Sequence, residues 1–93
     1  MIASYADEDT AKLADGIRVK KFEAIAKPAR RRLEILKAAI SLQDLRVPPG
    51  NRLEALSGKR KGQYSIRIND QYRICFKWED RNAYGVEIVD YHS

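Results

Sequence analysis

Cysteine and histidine are almost missing from this chain, which has one of each, Cys75 and His92, among 93 residues. One cysteine excludes an internal disulfide, and with a single histidine there is no Cys/His cluster to cage zinc. Only carboxylates are left as metal ligands, and Asp7-Glu8-Asp9 is accounted for by helix capping and the helix dipole, so no metal and no cofactor is expected. No apolar run is long enough to span a bilayer. The opening residues, Met1 to Tyr5 and then Asp7-Glu8-Asp9, lack the basic region and apolar stretch of a signal peptide, so a cytoplasmic protein with no membrane contact is expected. Gly58 and Gly62 bracket Lys59-Arg60-Lys61, but the spacing and the missing Ser/Thr exclude a nucleotide-binding loop; a basic turn entering a hairpin fits better. Ser57 and Ser65 have no histidine near them in sequence, so nothing supports a hydrolase triad. Internal repeats and low-complexity segments are absent.

What is abundant is charge. Hydrophobic residues make up 44% and charged ones 33%, which fits one compact domain over residues 1–93 with a thin core. The 18 Lys and Arg outweigh 13 Asp and Glu, for a net +5, and a small basic domain concentrates polyanions such as nucleic acid around itself. Arg30-Arg31-Arg32 reads as a solvated helix face. Lys59, Arg60 and Lys61, with the strand cations Arg67, Arg73 and Lys77, are the candidates for phosphate binding.

The pattern predicts an α+β fold. Met1 to Tyr5 reads as a short first strand, and Asp7 caps a helix to about Asp15, ended by Gly16. Pro28 suits the first turn of a second helix whose apolar stripe is Ala29, Leu33, Leu36 and Ile40. Ser41-Leu42-Gln43-Asp44 has capping-box spacing, and Val47-Pro48-Pro49-Gly50 interrupts regular structure. From Gln63 the period becomes two. Tyr64, Ile66 and Ile68, then Tyr72, Ile74, Phe76 and Trp78, form one apolar face for helices to cover, while Arg67, Arg73 and Lys77 form an open basic one. Turns at Asn69-Asp70 and Asp80-Arg81-Asn82 complete a three-stranded antiparallel meander whose last strand runs from Ala83 to His92. Cys75 is expected as a buried thiol within the sheet.

That strand ends in an acid, a phenol and an imidazole, Asp90, Tyr91 and His92, the usual parts of a proton-transfer site. Metal-free acid–base chemistry on a polyanion suits RNA best, because its own 2′-hydroxyl attacks the adjacent phosphate once deprotonated. Such a site needs a base, a proton donor to the leaving oxygen and a cation at the phosphate, roles open to His92, Asp90 and Arg73, with Tyr91 stacking on a base or bonding phosphate. Strict alternation puts Tyr91 opposite Asp90 and His92, so the three can meet one substrate only if the strand twists or bulges.

The stretch Val47 to Trp78, with Gly62-Gln63-Tyr64-Ser65-Ile66-Arg67-Ile68-Asn69-Asp70-Gln71-Tyr72-Arg73-Ile74 at its centre, and the ending Val86-Glu87-Ile88-Val89-Asp90-Tyr91-His92 resemble the HigB toxins of the RelE superfamily, also called plasmid-maintenance killer proteins. The resemblance spans nearly the whole chain and is weaker over the first forty residues. It implies a RelE-like α+β fold, with N-terminal helices on one face of a small, mainly antiparallel sheet. It implies the toxin of a type II toxin-antitoxin system: a metal-independent endoribonuclease that cuts mRNA in the ribosomal A site and so inhibits translation. The implied partners are the ribosome, mRNA and a HigA-type helix-turn-helix antitoxin, with operator DNA bound only through the antitoxin complex. Family catalytic roles carry over onto Asp90, Tyr91 and His92, and a phosphate-contacting arginine onto Arg73. Where many relatives have Leu-Lys-Gly, this chain has Leu56-Ser57-Gly58, so that cation's role is lost or passes to Lys59 or Lys61; Glu54 stands where some relatives have histidine. A non-catalytic protein that occupies RNA or the ribosome is the competing expectation.

Overall fold

A computed structural model describes residues 1–91. Helix α1 spans Glu8–Ala14 and helix α2 Ala26–Ala38, joined through a 3-10 turn at Lys20–Ile25. Four antiparallel strands follow in chain and spatial order: β1 Glu54–Ala55, β2 Tyr64–Arg67, β3 Tyr72–Glu79 and β4 Asn82–Asp90. The expected meander thus gains an edge strand, β1, too short for period-two patterning to reveal. The expected first strand is reduced to two isolated parallel bridges, Ile2 to Ala83 and Tyr5 to Val86, along the free side of β4.

Local chemistry explains the element ends. Asp7 accepts from Thr10 N at 2.7 Å and from Thr10 Oγ1 at 2.9 Å, and that hydroxyl accepts from Ile88 N at 3.2 Å, so one N-cap also ties α1 to β4. The Ser41–Asp44 capping box forms as expected. It also corrects the end of α2. The Asp44 carboxylate accepts from the amides of Ile40 and Ser41, the helix stops at Ala38 with Ala39 and Ser41 in extended conformations, and Ile40 leaves the apolar stripe to stand 63% exposed. Those two amide bonds hold the Asp44 carboxyl below its ordinary range.

The core lies between the helices and one sheet face. Leu33 and Leu36 are fully buried against Ile66, Ile74 and Ile88, which are cross-strand neighbours on β2, β3 and β4. Truncating either leucine to alanine would cost about 2–5 kcal/mol by this burial. Phe22 stands edge-on to Tyr72 with centroids 6.3 Å apart. The arginine triplet is not simply a solvated face. Arg30 donates to the carbonyls of Leu13 and Ile17, where α1 ends, and Arg32 donates to Arg67 O at 2.9 Å, so α2 is tied to both α1 and the sheet.

One irregularity shapes the rest. Cys75 pairs with Glu87 and Lys77 with Tyr84, so β4 fits three steps against two on β3. Gly85 sits in this bulge at φ +60°, a backbone geometry that glycine adopts without strain. Glu87 and Tyr84 are an odd number of residues apart and would face opposite ways on a regular strand. The bulge puts both on the face of Cys75 and Lys77.

Candidate active site

The sheet face away from the helices is not the open row of cations expected from alternation. Ser65 and Cys75, paired across β2 and β3, are fully buried there because side chains from other segments fold over them. Arg73 lies across the face with its side chain only 11% exposed. Its Nε donates to Ser65 Oγ at 2.7 Å, and its Nη2 donates to Arg52 O at 2.6 Å and approaches a Glu54 carboxylate oxygen at 3.9 Å. Arg52 presents that carbonyl from a left-handed conformation, φ +44°, just after the buried Asn51, whose amide donates to Leu45 O and Val47 O. The loop from Val47 is therefore pinned so as to orient the arginine. Arg67 is engaged by Asp70. Of the three strand cations, Lys77 alone is classed as exposed. Physically, bare guanidinium groups side by side would repel, and the fold answers by giving each an oxygen partner.

The basic turn Gly58–Arg60 splits by role. Lys59 and Lys61 are exposed, whereas Arg60 turns inward, donating to Gln63 Oε1 at 3.0 Å and to Glu87 Oε1 at 3.1 Å. Burial is the largest single influence and opposes the Arg60 charge, but the Glu87 hydrogen bond and charge, together with the neighbouring Cys75 and Tyr91, outweigh it and raise its affinity for the proton. Tyr91 lies over the same face, its hydroxyl 3.6 Å from Cys75 Sγ. Desolvation and the Cys75 contact push the Tyr91 phenol above its ordinary range, and burial pushes the Cys75 thiol up as well. Both stay protonated at neutral pH, so Tyr91 is a hydrogen-bond donor and Cys75 no nucleophile.

Asp90 pairs with Tyr72, and Arg73 with Val89, so Asp90 and Arg73 lie on opposite faces of β4 and β3. Asp90 accepts from Gln71 Nε2 at 3.2 Å at the rim of the sheet. His92 lies outside the described residues. The structure thus brings together Arg60, Arg73 and Tyr91 from the expected set, and adds Glu54, Ser65 and Glu87, which sequence patterning did not single out. Glu54 and Glu87 could have been found only by knowing the register. Among the described residues, no group of three or more His, Cys, Asp or Glu is placed to hold a metal ion.

The whole chain superposes on the YoeB-YefM toxin-antitoxin complex from Staphylococcus aureus with a TM-score of 0.62 at 18% identity, covering 100% of this chain and 99% of that one. A heterotetrameric form of that complex gives 0.61 at 20% identity over the same shares. These likenesses show the fold alone, two helices on a four-stranded antiparallel sheet. The family model for the HigB-like toxin, a RelE-like toxin of type II toxin-antitoxin systems, matches residues 4–92, and the chain belongs to that family. Toxin HigB-1 of Vibrio cholerae is 60% identical over 50 residues, 54% of this chain and 53% of the relative. An uncharacterized Haemophilus influenzae protein is 41% identical over 63 residues, 68% of this chain and 61% of the relative. The matched segments thus span between half and two thirds of these relatives' length.

Proposed function

We propose that this chain is a ribosome-dependent mRNA endoribonuclease that needs no metal, and that a HigA-type antitoxin neutralises it. The observation that carries the reading is the fixed Arg73 guanidinium beside a solvent-facing carboxylate, Glu54, 59% exposed, with a protonated phenol, Tyr91, on the same sheet face. Attack by a 2′-hydroxyl on the adjacent phosphate needs a base, charge neutralisation at the phosphate oxygens and a proton for the leaving 5′-oxygen. Glu54 is placed to take the first proton, alongside the expected candidates Asp90 and His92. Arg73, held by Ser65 and Arg52, meets the phosphate without paying reorganisation. Tyr91 donates a hydrogen bond to the phosphate or stacks on a base. Lys59, Lys61 and Lys77, with Arg60 and Arg67 behind them, supply the surrounding positive potential that draws in RNA. The likeness to toxin-antitoxin complexes supports an antitoxin partner; operator DNA would be met only through that complex.

Transcriptome-wide 5′-end mapping in cells expressing wild type, Arg73→Lys, Glu54→Gln, Asp90→Asn and His92→Ala tests this reading. New ends within codons, absent for Arg73→Lys and reduced by the others, are expected. Equal cleavage by all five proteins would sink it. Ser57, uncharged where many relatives carry lysine, favours a second reading, a non-catalytic occupant of RNA or ribosome. Blocked translation with intact mRNA would select it.

A further inference from the structure

The β4 bulge opens a pocket that the reaction above does not use. It holds about 350 Å³ and is lined by Ala6, Gln63, Lys77, Tyr84, Gly85 and Glu87. Along β3, Lys77 lies four residues from Arg73, roughly 13 Å at about 3.3 Å per residue. The pocket is therefore on the same face as the candidate site but displaced from the Arg73 end of the sheet.

Its lining has the makings of a base-recognition site. Tyr84 is 37% exposed and offers a ring face. Gln63 gives its carbonyl oxygen to Arg60, so its amide NH2 is the group it can offer a ligand. Glu87 gives one oxygen to Arg60 and keeps a second, which can only accept. Lys77 supplies a cation for a flanking phosphate. We infer that this pocket receives one unstacked nucleobase of the bound RNA strand, with Tyr84 as stacking platform and Glu87 selecting for an exocyclic amino group. Adenine, cytosine and guanine carry such a group. Uracil and thymine turn two carbonyl oxygens toward the carboxylate, with only one N–H between them, and are disfavoured. The inference rests on the reading of this face as an RNA surface and adds a base preference to it.

Binding of uncleavable trideoxynucleotides of dA, dC and dT to the full chain at low salt, followed through the Gly85 amide resonance, separates this pocket from the cutting chemistry. Wild type should bind the dT trimer weakest, by about fivefold or more against dA and dC. Tyr84→Ala should weaken the dA and dC trimers about tenfold, and Tyr84→Phe should keep them near wild type. Glu87→Gln, whose one oxygen stays with Arg60 so that its NH2 faces the pocket as a donor, should close or reverse the gap between dT and dC. A dT trimer bound as well as the others by wild type, or a ranking untouched by Glu87→Gln, would overturn the inference. Cellular mRNA left intact together with selection against dT would end the endonuclease reading and uphold the pocket.

Discussion

Removing the Arg73 side chain is the sharpest probe of how this sheet face is built. Arg73→Ala deletes two short charge-assisted bonds, to Ser65 Oγ at 2.7 Å and to Arg52 O at 2.6 Å, and a longer one to Ser65 O at 3.4 Å. The Arg52 carbonyl can turn to water, but Ser65 is fully buried and its hydroxyl is left unpaired. An orphaned buried group costs about 1–3 kcal/mol, and the loss of bonds to a charged group about 1.5–3 kcal/mol each before solvent repays the exposed one, for a net of about 3 kcal/mol. In a domain of this size each kcal/mol shifts the melting temperature by about 4–8 °C, so a fall of roughly 12–24 °C is expected. Ser65→Ala alone should cost less, about 1–2 kcal/mol, since Arg73 keeps its other partners. The double variant should be scarcely less stable than Arg73→Ala, because the second change removes the orphan; the coupling should be about 1–2 kcal/mol. Urea melts of the four proteins measure it. Strict additivity, or an Arg73→Ala protein melting within about 3 °C of wild type, would refute the claim that this arginine is locked in place.

Gly85→Ala should destabilise by about 1–2 kcal/mol although nothing lies within 4 Å of the new methyl group, because an L-residue at φ +60° is strained; thermal melts would show it, and an unchanged midpoint would mean that the bulge relaxes freely. Cys75, Tyr91 and Tyr5 all have raised pKa values, so the folded state holds these protons more tightly than the unfolded chain. Stability should be fully present below the ordinary thiol value of 9.0 and fall as pH rises through and beyond it, with the phenols adding their loss above 10.0. Urea midpoints at pH 8 to 11 for wild type and Cys75→Ala test this, the variant losing less across the first part of the range. Ser57→Lys should tighten RNA binding and steepen the salt dependence of log Kd by about one unit, measured by titration at several salt concentrations. An unchanged slope would place Ser57 away from the phosphate path.

The site was less legible than the elements. The Asp7 cap, the Ser41–Asp44 box, the hairpin turn at Asn69-Asp70 and the buried Leu33 and Leu36 could all be read from residues close in sequence. At Ile40 two local signals compete, a helical stripe and a cap, and the cap prevails. Period-two patterning makes the open face a basic one because it counts side chains on one strand and ignores what folds over them. Arg73 is covered by a loop 21 residues earlier, and Arg60 is satisfied by an acid 27 residues later.

The family resemblance, together with patterning, caps and turns, was contained in the sequence itself, since each depends on residue type and short spacing. Only the tertiary structure decided which charges face each other. Glu54 came beside Arg73 through the pairing of β1 with β2, and Glu87 joined Tyr84 on one face through the slip in register at Gly85. The reason is physical: a one-residue change of register reverses every side chain beyond it, and a local pattern read along one strand does not report the strand it pairs with.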